Sequence, residues 1–196
     1  MDRVPNDLYA QVPADQKRLM ILCGFLISFE GHKSLVKDFK TVAAFITKNS
    51  LKASTKDILH VDIIMRGVGS FMNLKIMDKS NIRVELGIIL FELAGLWPTS
   101  LLLAQVLSST RNTCASDKFT EILEQIKMLN LEEIHLLQPL LDGDELADIL
   151  QLKPGKEIGE WKQVLFKWQL ANPTKNAASA IEFLLMESMT NKKKNT

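Results

Sequence analysis

Residues 142–173 read DGDELADILQLKPGKEIGEWKQVLFKWQLANP, and this stretch decides how the C-terminal part of the chain folds. Asp142 suits the start of a helix, because its carboxylate accepts hydrogen bonds from unpaired backbone N–H groups. We expect a short helix over 145–150, a sharp break at Pro154-Gly155, and a second helix that Asn172-Pro173 stops. The second helix carries one apolar stripe, made of Ile158, Trp161, Leu165 and Trp168. The stretch therefore predicts a helical hairpin.

The tight turn between these two helices has two interpretations. A helix, a glycine turn and a second helix form the layout of a helix-hairpin-helix element, in which the turn and the first amides of the second helix meet a nucleic-acid phosphate. Lys153 and Lys156 flank the turn, and Lys156, Gln163 and Lys167 share the face opposite the tryptophans. Alternatively, the turn joins an ordinary αα-hairpin, and Gly155 only ends the first helix in a left-handed conformation. The pattern favours the two interpretations about equally.

The rest of the chain is also patterned for helices. Apolar residues recur at three- and four-residue steps, and the sustained alternation that would predict strands is absent from the sequence. We interpret Leu19–Phe29 as a buried helix and the stripe from Leu35 to Ile46 as one face of another. Ser54 is expected to cap a third helix, which Gly67 and Gly69 end. The sequence thus predicts an all-α fold, an irregular array of about nine or ten helices.

Composition and charge narrow the class of protein. The chain has 196 residues, of which 46% are apolar and 24% charged, and this suits one or two compact domains rather than a disordered chain. A Pro, a Gly pair and an acidic cluster divide it into a helical body-like region, 1–137, and a tail region, 138–196. Residues 33–83 carry ten basic and four acidic side chains, and residues 151–196 carry eight basic and four acidic ones. Between them, residues 84–150 carry three basic and eleven acidic side chains. The two basic segments either share a face for an acidic partner or are solvated surfaces without one.

The residue types that carry catalysis do not converge in the sequence. The three histidines are far apart, and it contains no phosphate loop, GxSxG elbow or HExxH motif. Cys23 and Cys114 form neither a disulfide framework nor a zinc pattern, which is typical of a reducing compartment. Asp142-Gly143-Asp144 has the spacing of a magnesium pair, but such a pair usually lies on a strand, so we interpret it as a helix cap. Trp161 and Trp168 could stack on unpaired bases, although their heptad spacing favours core packing.

The C-terminal motif resembles one known family. Its parts are Leu141-Asp142-Gly143-Asp144-Glu145-Leu146, Leu150-Gln151-Leu152-Lys153-Pro154-Gly155, Ile158-Gly159 and Trp168-Gln169-Leu170-x-Asn172-Pro173. In this order and with these gaps, they resemble the C-terminal tail of eukaryotic CCA-adding enzymes, the class II tRNA nucleotidyltransferases. The motif covers about 35 residues. Residues 15–137 are similar to the helical body of that family in helix order and character only.

The resemblance implies an enzyme of four parts: a catalytic head, a neck, a body and a tail. The head would carry an Asp-x-Asp metal pair and an Arg-Asp element, and the neck a Glu-Asp-x-x-Arg template that selects CTP or ATP. This sequence contains no strand-borne Asp-x-Asp, no Arg-Asp and no Glu-Asp-x-x-Arg. We therefore expect no catalytic residue, metal site or cofactor in this chain and no activity from it alone, since Mg²⁺ and CTP or ATP would belong to a separate or missing head. A start at Met1 within the body suggests a truncated product, a split gene or an incomplete gene model.

In that family the body and tail hold the acceptor stem and T-arm of tRNA, so the resemblance implies RNA binding. The candidate tail contacts are Lys153, Gly155, Lys156 and Lys167, and weaker candidates are Lys33, Lys37, Lys40, Lys48, Lys52 and Lys56. The longest apolar run is too short to cross a bilayer, so we expect no membrane partner and an intracellular location in the cytosol, nucleus or mitochondrion. The alternative function is a helical protein–protein interaction or dimerisation module, which would expose an apolar patch on the helix over 98–110.

Overall fold

The computed structural model of the chain describes residues 6–33, 39–75, 81–110, 116–153 and 155–194. Within these ranges it contains ten α-helices and three short 3₁₀ turns but no strand, so the predicted all-α class is confirmed. The helices are α1 (Asn6–Gln11), α2 (Ala14–Phe25), α3 (Val42–Asn49), α4 (Thr55–Asn73), α5 (Ile82–Leu93), α6 (Trp97–Thr110), α7 (Ser116–Met128), α8 (Gly143–Leu150), α9 (Lys156–Ala171) and α10 (Ala177–Lys194). The 3₁₀ turns are Ile27–Phe29, Ala94–Leu96 and Ile134–Leu136.

The helices form two compact units. The first unit takes its described residues from 1–78 and 89–135, and the second takes them from 79–88 and 136–196. α5 therefore contributes its first residues to the second unit and its last residues to the first. The assignment of 1–137 and 138–196 as body-like and tail domains stays a prediction.

α6 lies in the centre of the first unit. Leu101, Leu102, Leu103 and Ala104 are all buried, and Val106 is the one large apolar side chain of this helix that is exposed. The apolar patch expected on 98–110 for a protein-interaction module is therefore absent. The apolar character of this helix serves the core of the protein itself.

α4 packs against α6 through a glycine. A Cβ atom built on Gly67 would lie 2.6 Å from Oγ of Ser100 and 2.7 Å from Cδ2 of Leu93, so only a glycine lets the two helices approach this closely. The prediction that Gly67 ends the helix is wrong, because α4 continues to Asn73. Its start is as predicted, since Oγ of Ser54 accepts a hydrogen bond from the N–H of Asp57.

Two predicted helices near the N-terminus differ from the structure. α2 ends at Phe25 instead of continuing to Phe29, and it buries Leu19 and Cys23 while Phe25 is 81% exposed. A surface helix buries only one stripe of its circumference, so the apolar run does not make every residue internal. α3 starts after Thr41, whose Oγ accepts from the N–H of Ala44. The stripe predicted from Leu35 begins outside the described residues, and within the described residues its helix is Val42–Asn49.

In the part of the chain that the structure describes, one stretch is long and apolar enough to cross a membrane by length and composition alone. It is Ile82–Thr110, which covers α5, a 3₁₀ turn and α6. The core helix of a soluble protein passes the same test, and 67% of the most apolar window in this stretch is buried inside the protein. Burial within the fold accounts for its hydropathy.

The second unit has an apolar core of its own. The buried members are Leu141, Leu146, Leu150, Leu165, Ala180 and Leu184, from the segment before α8 and from α8, α9 and α10. Trp161 and Trp168 pack against this core, and the ring of Trp168 stacks on that of Phe183 with centroids 5.4 Å apart. The tryptophan stripe of α9 therefore packs inward.

Candidate nucleic-acid interface

α8 begins with a complete capping box. The carboxylate of Asp142 accepts hydrogen bonds from the N–H groups of Asp144 and Glu145 at 2.8 and 2.9 Å. The carboxylate of Glu145 in turn accepts from the N–H of Asp142 at 2.8 Å. Asp142 is therefore a helix cap, as interpreted from the sequence. The described residues contain no group of three His, Cys, Asp or Glu side chains that could hold a metal ion.

The turn after α8 is formed by a residue other than the glycine that the sequence indicated. Gln151 has φ +53°, and its N–H bonds to the carbonyl of Asp148 while the N–H of Leu152 bonds to that of Ala147. This pair of hydrogen bonds is a Schellman motif with Gln151 in the left-handed position. Gly155 has φ 162°, an extended conformation, and a Cβ atom built on it would lie 4.0 Å from the carbonyl oxygen of Lys153. The expectation that Gly155 is left-handed is therefore wrong.

α9 begins without a side-chain cap. Gly155 occupies the cap position and has no side chain to accept hydrogen bonds from the first turn of the helix. The backbone N–H groups at the start of a helix need an acceptor and carry partial positive charge, so an anion binds favourably there. Lys153 and Lys156 are exposed on either side of this turn. Pro154, between them, lies outside the described residues.

The outer face of α9 carries the predicted polar residues. Lys156, Gln163 and Lys167 are all exposed, and their spacing places them on one face with the two lysines roughly 16 Å apart along the axis. Nζ of Lys156 lies 3.2 Å from Oε1 of Glu160, and both side chains are largely exposed. Such a pair is weak because water screens it. The face is therefore positive at both ends with one carboxylate between them.

Sequence reasoning missed the residue that holds the loop before α8 against α9. Gln169 is 7% exposed, its Nε2 donates to the carbonyl of Gln138 at 2.7 Å, and its Oε1 accepts from the N–H of Leu140 at 3.3 Å. The end of α9 is held as well, since Nε of Arg83 donates to the carbonyl of Leu170 at 2.8 Å. The signal available in the sequence was a glutamine placed directly beside the apolar stripe of this helix. Much of the C-terminal motif thus maintains the shape of the hairpin.

The weaker candidates that the structure describes all belong to the first unit. Lys33, Lys40, Lys48, Lys52 and Lys56 are exposed, and Lys37 lies outside the described residues. Lys48 is engaged locally, since its Nζ lies 5.0 Å from the centroid of the Phe39 ring. Lys52 follows α3 in a left-handed conformation, and Lys56 is in the first turn of α4. These lysines come from several elements, whereas the tail candidates belong to one hairpin.

The thiol and imidazole groups in the described residues do not form a reactive set. Burial raises the pKa of the Cys23 thiol to about 12, so this group stays protonated and inert at neutral pH. Nδ1 of His135 is buried without a hydrogen-bond partner in the structure. His32 is exposed, and its Nδ1 lies 3.2 Å from the carbonyl oxygen of Glu30. In the described residues, Cys23, His135 and His32 therefore show no hydrogen-bonded pair of a nucleophile and a base.

The fold and the hairpin define an all-α protein with a basic, uncapped helical turn on its second unit. The chain is 28% identical to the mitochondrial CCA tRNA nucleotidyltransferase of Saccharomyces cerevisiae over 153 residues, which are 72% of this chain and 28% of that protein. It is 28% identical to the mitochondrial CCA tRNA nucleotidyltransferase of Candida glabrata over 109 residues, 52% of this chain and 20% of that protein. It is also 39% identical to the nucleotidyltransferase lcsQ of Purpureocillium lilacinum over 67 residues, 34% of this chain and 11% of that protein.

These similarities make the chain a relative of the CCA-adding enzymes, as the C-terminal motif predicts. The aligned parts span between 11% and 28% of the length of these curated relatives. No protein-family model matches the chain. No solved structure matches it either.

Proposed function

We propose that this chain is an RNA-binding portion of a CCA-adding tRNA nucleotidyltransferase and holds the acceptor stem and T-arm of tRNA. The observation that carries the proposal is the turn at Gly155, where an uncapped helix start lies between exposed Lys153 and Lys156. This turn is part of the motif that resembles the tail of that family. The similarity to two mitochondrial CCA tRNA nucleotidyltransferases supports the same function.

The physical role is a grip on the RNA backbone. The N–H groups at the start of α9 donate hydrogen bonds to one phosphate, and Lys156 and Lys167 on the outer face of α9 bind others along the duplex. A-form RNA is bound mainly through its shape, phosphates and 2′-hydroxyls, so this grip needs no base-specific contact. Catalysis, with Mg²⁺ and CTP or ATP, belongs to a head contributed by other sequence. The chain acts inside the cell, where tRNA is processed.

A charge-reversal experiment tests the grip. The ligand is a minihelix of a tRNA acceptor stem and T-arm, and its binding is measured by filter retention across a salt series. Each phosphate contact contributes about −0.9 to the slope of log K against log salt concentration. We expect Lys156→Glu with Lys167→Glu to make the slope shallower by roughly 2, because two contacts are lost.

The matched control reverses two exposed lysines that are not candidates, Lys75→Glu with Lys127→Glu, and changes the net charge equally. The control should keep the parental slope. No binding at low salt, or binding that salt does not affect, would contradict the proposal. An equal loss in both double variants would show general attraction between charges instead of a site.

A protein-interaction module is the second candidate, favoured by a different observation. α2 exposes 60% of Ile21 and 81% of Phe25, four residues apart on one helix. The exposed apolar surface is therefore on α2, whereas the sequence analysis expected it on the helix over 98–110. Two results together would replace the first candidate with the second. The double variant Lys156→Glu with Lys167→Glu would bind the minihelix as the parent does. Sedimentation would show that the parent self-associates and that Phe25→Ser does not.

A further inference from the structure

The first unit contains an open cleft of about 900 Å³ that the proposed RNA grip does not use. The segments around residues 30–33 and 39–41, α4 and the end of α5 line it. Its volume is within the range of small-ligand sites. The cleft is therefore large enough for a molecule of several rings or a ring with substituents.

The cations of the cleft come from three separate parts of the chain. Lys33, Lys40 and Arg66 all line it, the first two from the segments on either side of residues 34–38 and the third from α4. Nε of Arg66 pairs with the carboxylate of Asp62 at 3.2 Å. The pair engages Nε, and the guanidinium carries further N–H donors on its Nη atoms that suit a ligand anion.

The wall that carries Arg66 is held in place before any ligand arrives. The same carboxylate of Asp62 accepts hydrogen bonds from the N–H and Oγ of Thr41, at 2.9 and 2.8 Å. Asp62 thus fixes α4 and the segment at Thr41 to each other. A site built on fixed donors loses less entropy when it binds.

Hydroxyl-binding groups face the same space. The carboxylates of Glu30 and Glu92 and the side chains of Ser70 and Asn73 line the cleft. Oε1 of Glu30 would lie 3.1 Å from a Cβ atom built on Gly69, so this carboxylate rests directly against α4. Carboxylate and amide groups are suited to sugar hydroxyls, and the apolar residues of the cleft suit the face of a sugar ring.

We propose that this cleft binds a sugar phosphate unit, with the phosphate on Lys33, Lys40 and Arg66 and the hydroxyls on the acidic side. The unit is either a free sugar phosphate or the phosphorylated end of an RNA strand, since both present the same groups. This inference is independent of the grip at the hairpin, because the cleft belongs to the first unit and takes one sugar instead of a duplex.

Calorimetric titration of the full chain with ribose 5-phosphate tests the proposal, with ribose and inorganic phosphate as separate probes. We expect ribose 5-phosphate to bind at least tenfold more tightly than either part alone. Ser70→Phe should abolish binding by filling the cleft, while the control Ser50→Phe, at an exposed position of the same unit, should not. If Ser70→Phe does not fold, Lys40→Met against Lys127→Met decides the question in the same way, with a tenfold loss expected for Lys40→Met.

Competition identifies the source of the sugar phosphate. A 5′-phosphorylated tetraribonucleotide that displaces ribose 5-phosphate indicates an RNA end, and failure to displace it indicates a free metabolite; both outcomes support the site. Equal binding of phosphate and ribose 5-phosphate, or no heat at millimolar ligand, would overturn it. Lys156→Glu with Lys167→Glu should leave ribose 5-phosphate binding unchanged, so that failure of the cleft and failure of the hairpin are distinguishable.

Discussion

Gln169 shows how a single buried polar side chain fixes the loop before α8. Its amide makes two hydrogen bonds to the backbone of the segment at 138–140. In Gln169→Leu, the carbonyl of Gln138 and the N–H of Leu140 would lose these partners, and a hydrogen bond of this kind contributes about 0.5–1.5 kcal/mol. We expect urea denaturation to show a loss of about 1–3 kcal/mol in the free energy of unfolding.

The matched control is Gln163→Leu on the same helix, since Gln163 is exposed. It should change the free energy of unfolding by less than about 0.5 kcal/mol. Equal urea midpoints for Gln169→Leu and the parent would mean that the two backbone groups find other partners. The hydrogen bonds of Gln169 would then not contribute to stability.

At the residue scale, the sequence predicted side chains that act locally and missed those that act at a distance. Asp142 and Ser54 cap their helices as predicted, because a cap depends on residues only three positions away. Gln169 reaches a loop about thirty residues earlier in the chain, and periodicity carries no information about such a partner. Gln151 adopts a left-handed conformation although it is neither Gly nor Asn. Its residue type therefore gave no signal for the turn at this position.

At the scale of elements, the α4–α6 contact depends on the absence of one methyl group. In Gly67→Ala the new Cβ would meet Ser100 and Leu93 at less than 3 Å, and overpacking of this kind costs about 1–3 kcal/mol. In Gly24→Ala, within α2, the new Cβ meets nothing within 4 Å, and the higher helix propensity of Ala should add up to about 1 kcal/mol.

The same substitution should therefore change the melting temperature in opposite directions at these two sites of one unit. Differential scanning calorimetry measures both variants against the parent. A Gly67→Ala variant at least as stable as the parent would show that α6 moves away at little cost, and the close contact would not define the packing.

The outer face of α9 offers a test in which binding should increase. Glu160 neutralises Lys156 and also repels any phosphate on this face. In Glu160→Gln the lysine is released, and since an exposed pair is worth about 0.2–1 kcal/mol, minihelix affinity should rise by up to about fivefold.

Glu121→Gln removes the same charge from an exposed position of α7 in the other unit and serves as the control. The filter assay at low salt compares the two variants. Equal affinity gains in both would indicate that only net charge matters, and this would remove α9 as the RNA-binding face.

At the scale of the whole molecule, local pattern predicted the all-α class but carried no information about the packing of α5 on α9. Residues 79–88 join the unit that contains 136–196. Within that unit, a Cβ atom on Gly87 would lie 2.7 Å from Cδ2 of Leu170, so the start of α5 packs closely on the end of α9. The two segments are more than eighty residues apart in sequence, and no helical period reports that they pack together.

The most apolar stretch of the chain gives the last prediction, because its hydropathy alone would allow a membrane span. Two-thirds of its most apolar window is already buried by the protein, and Leu101 and Leu103 of α6 are inside the core. Entry into lipid would require this core to open, which costs the whole free energy of folding. In flotation with neutral phosphatidylcholine vesicles, we therefore expect the native chain to stay in the dense fraction. Leu101→Asp, which disrupts the core, should increase the floating fraction, and flotation of the native parent would identify the stretch as a membrane segment.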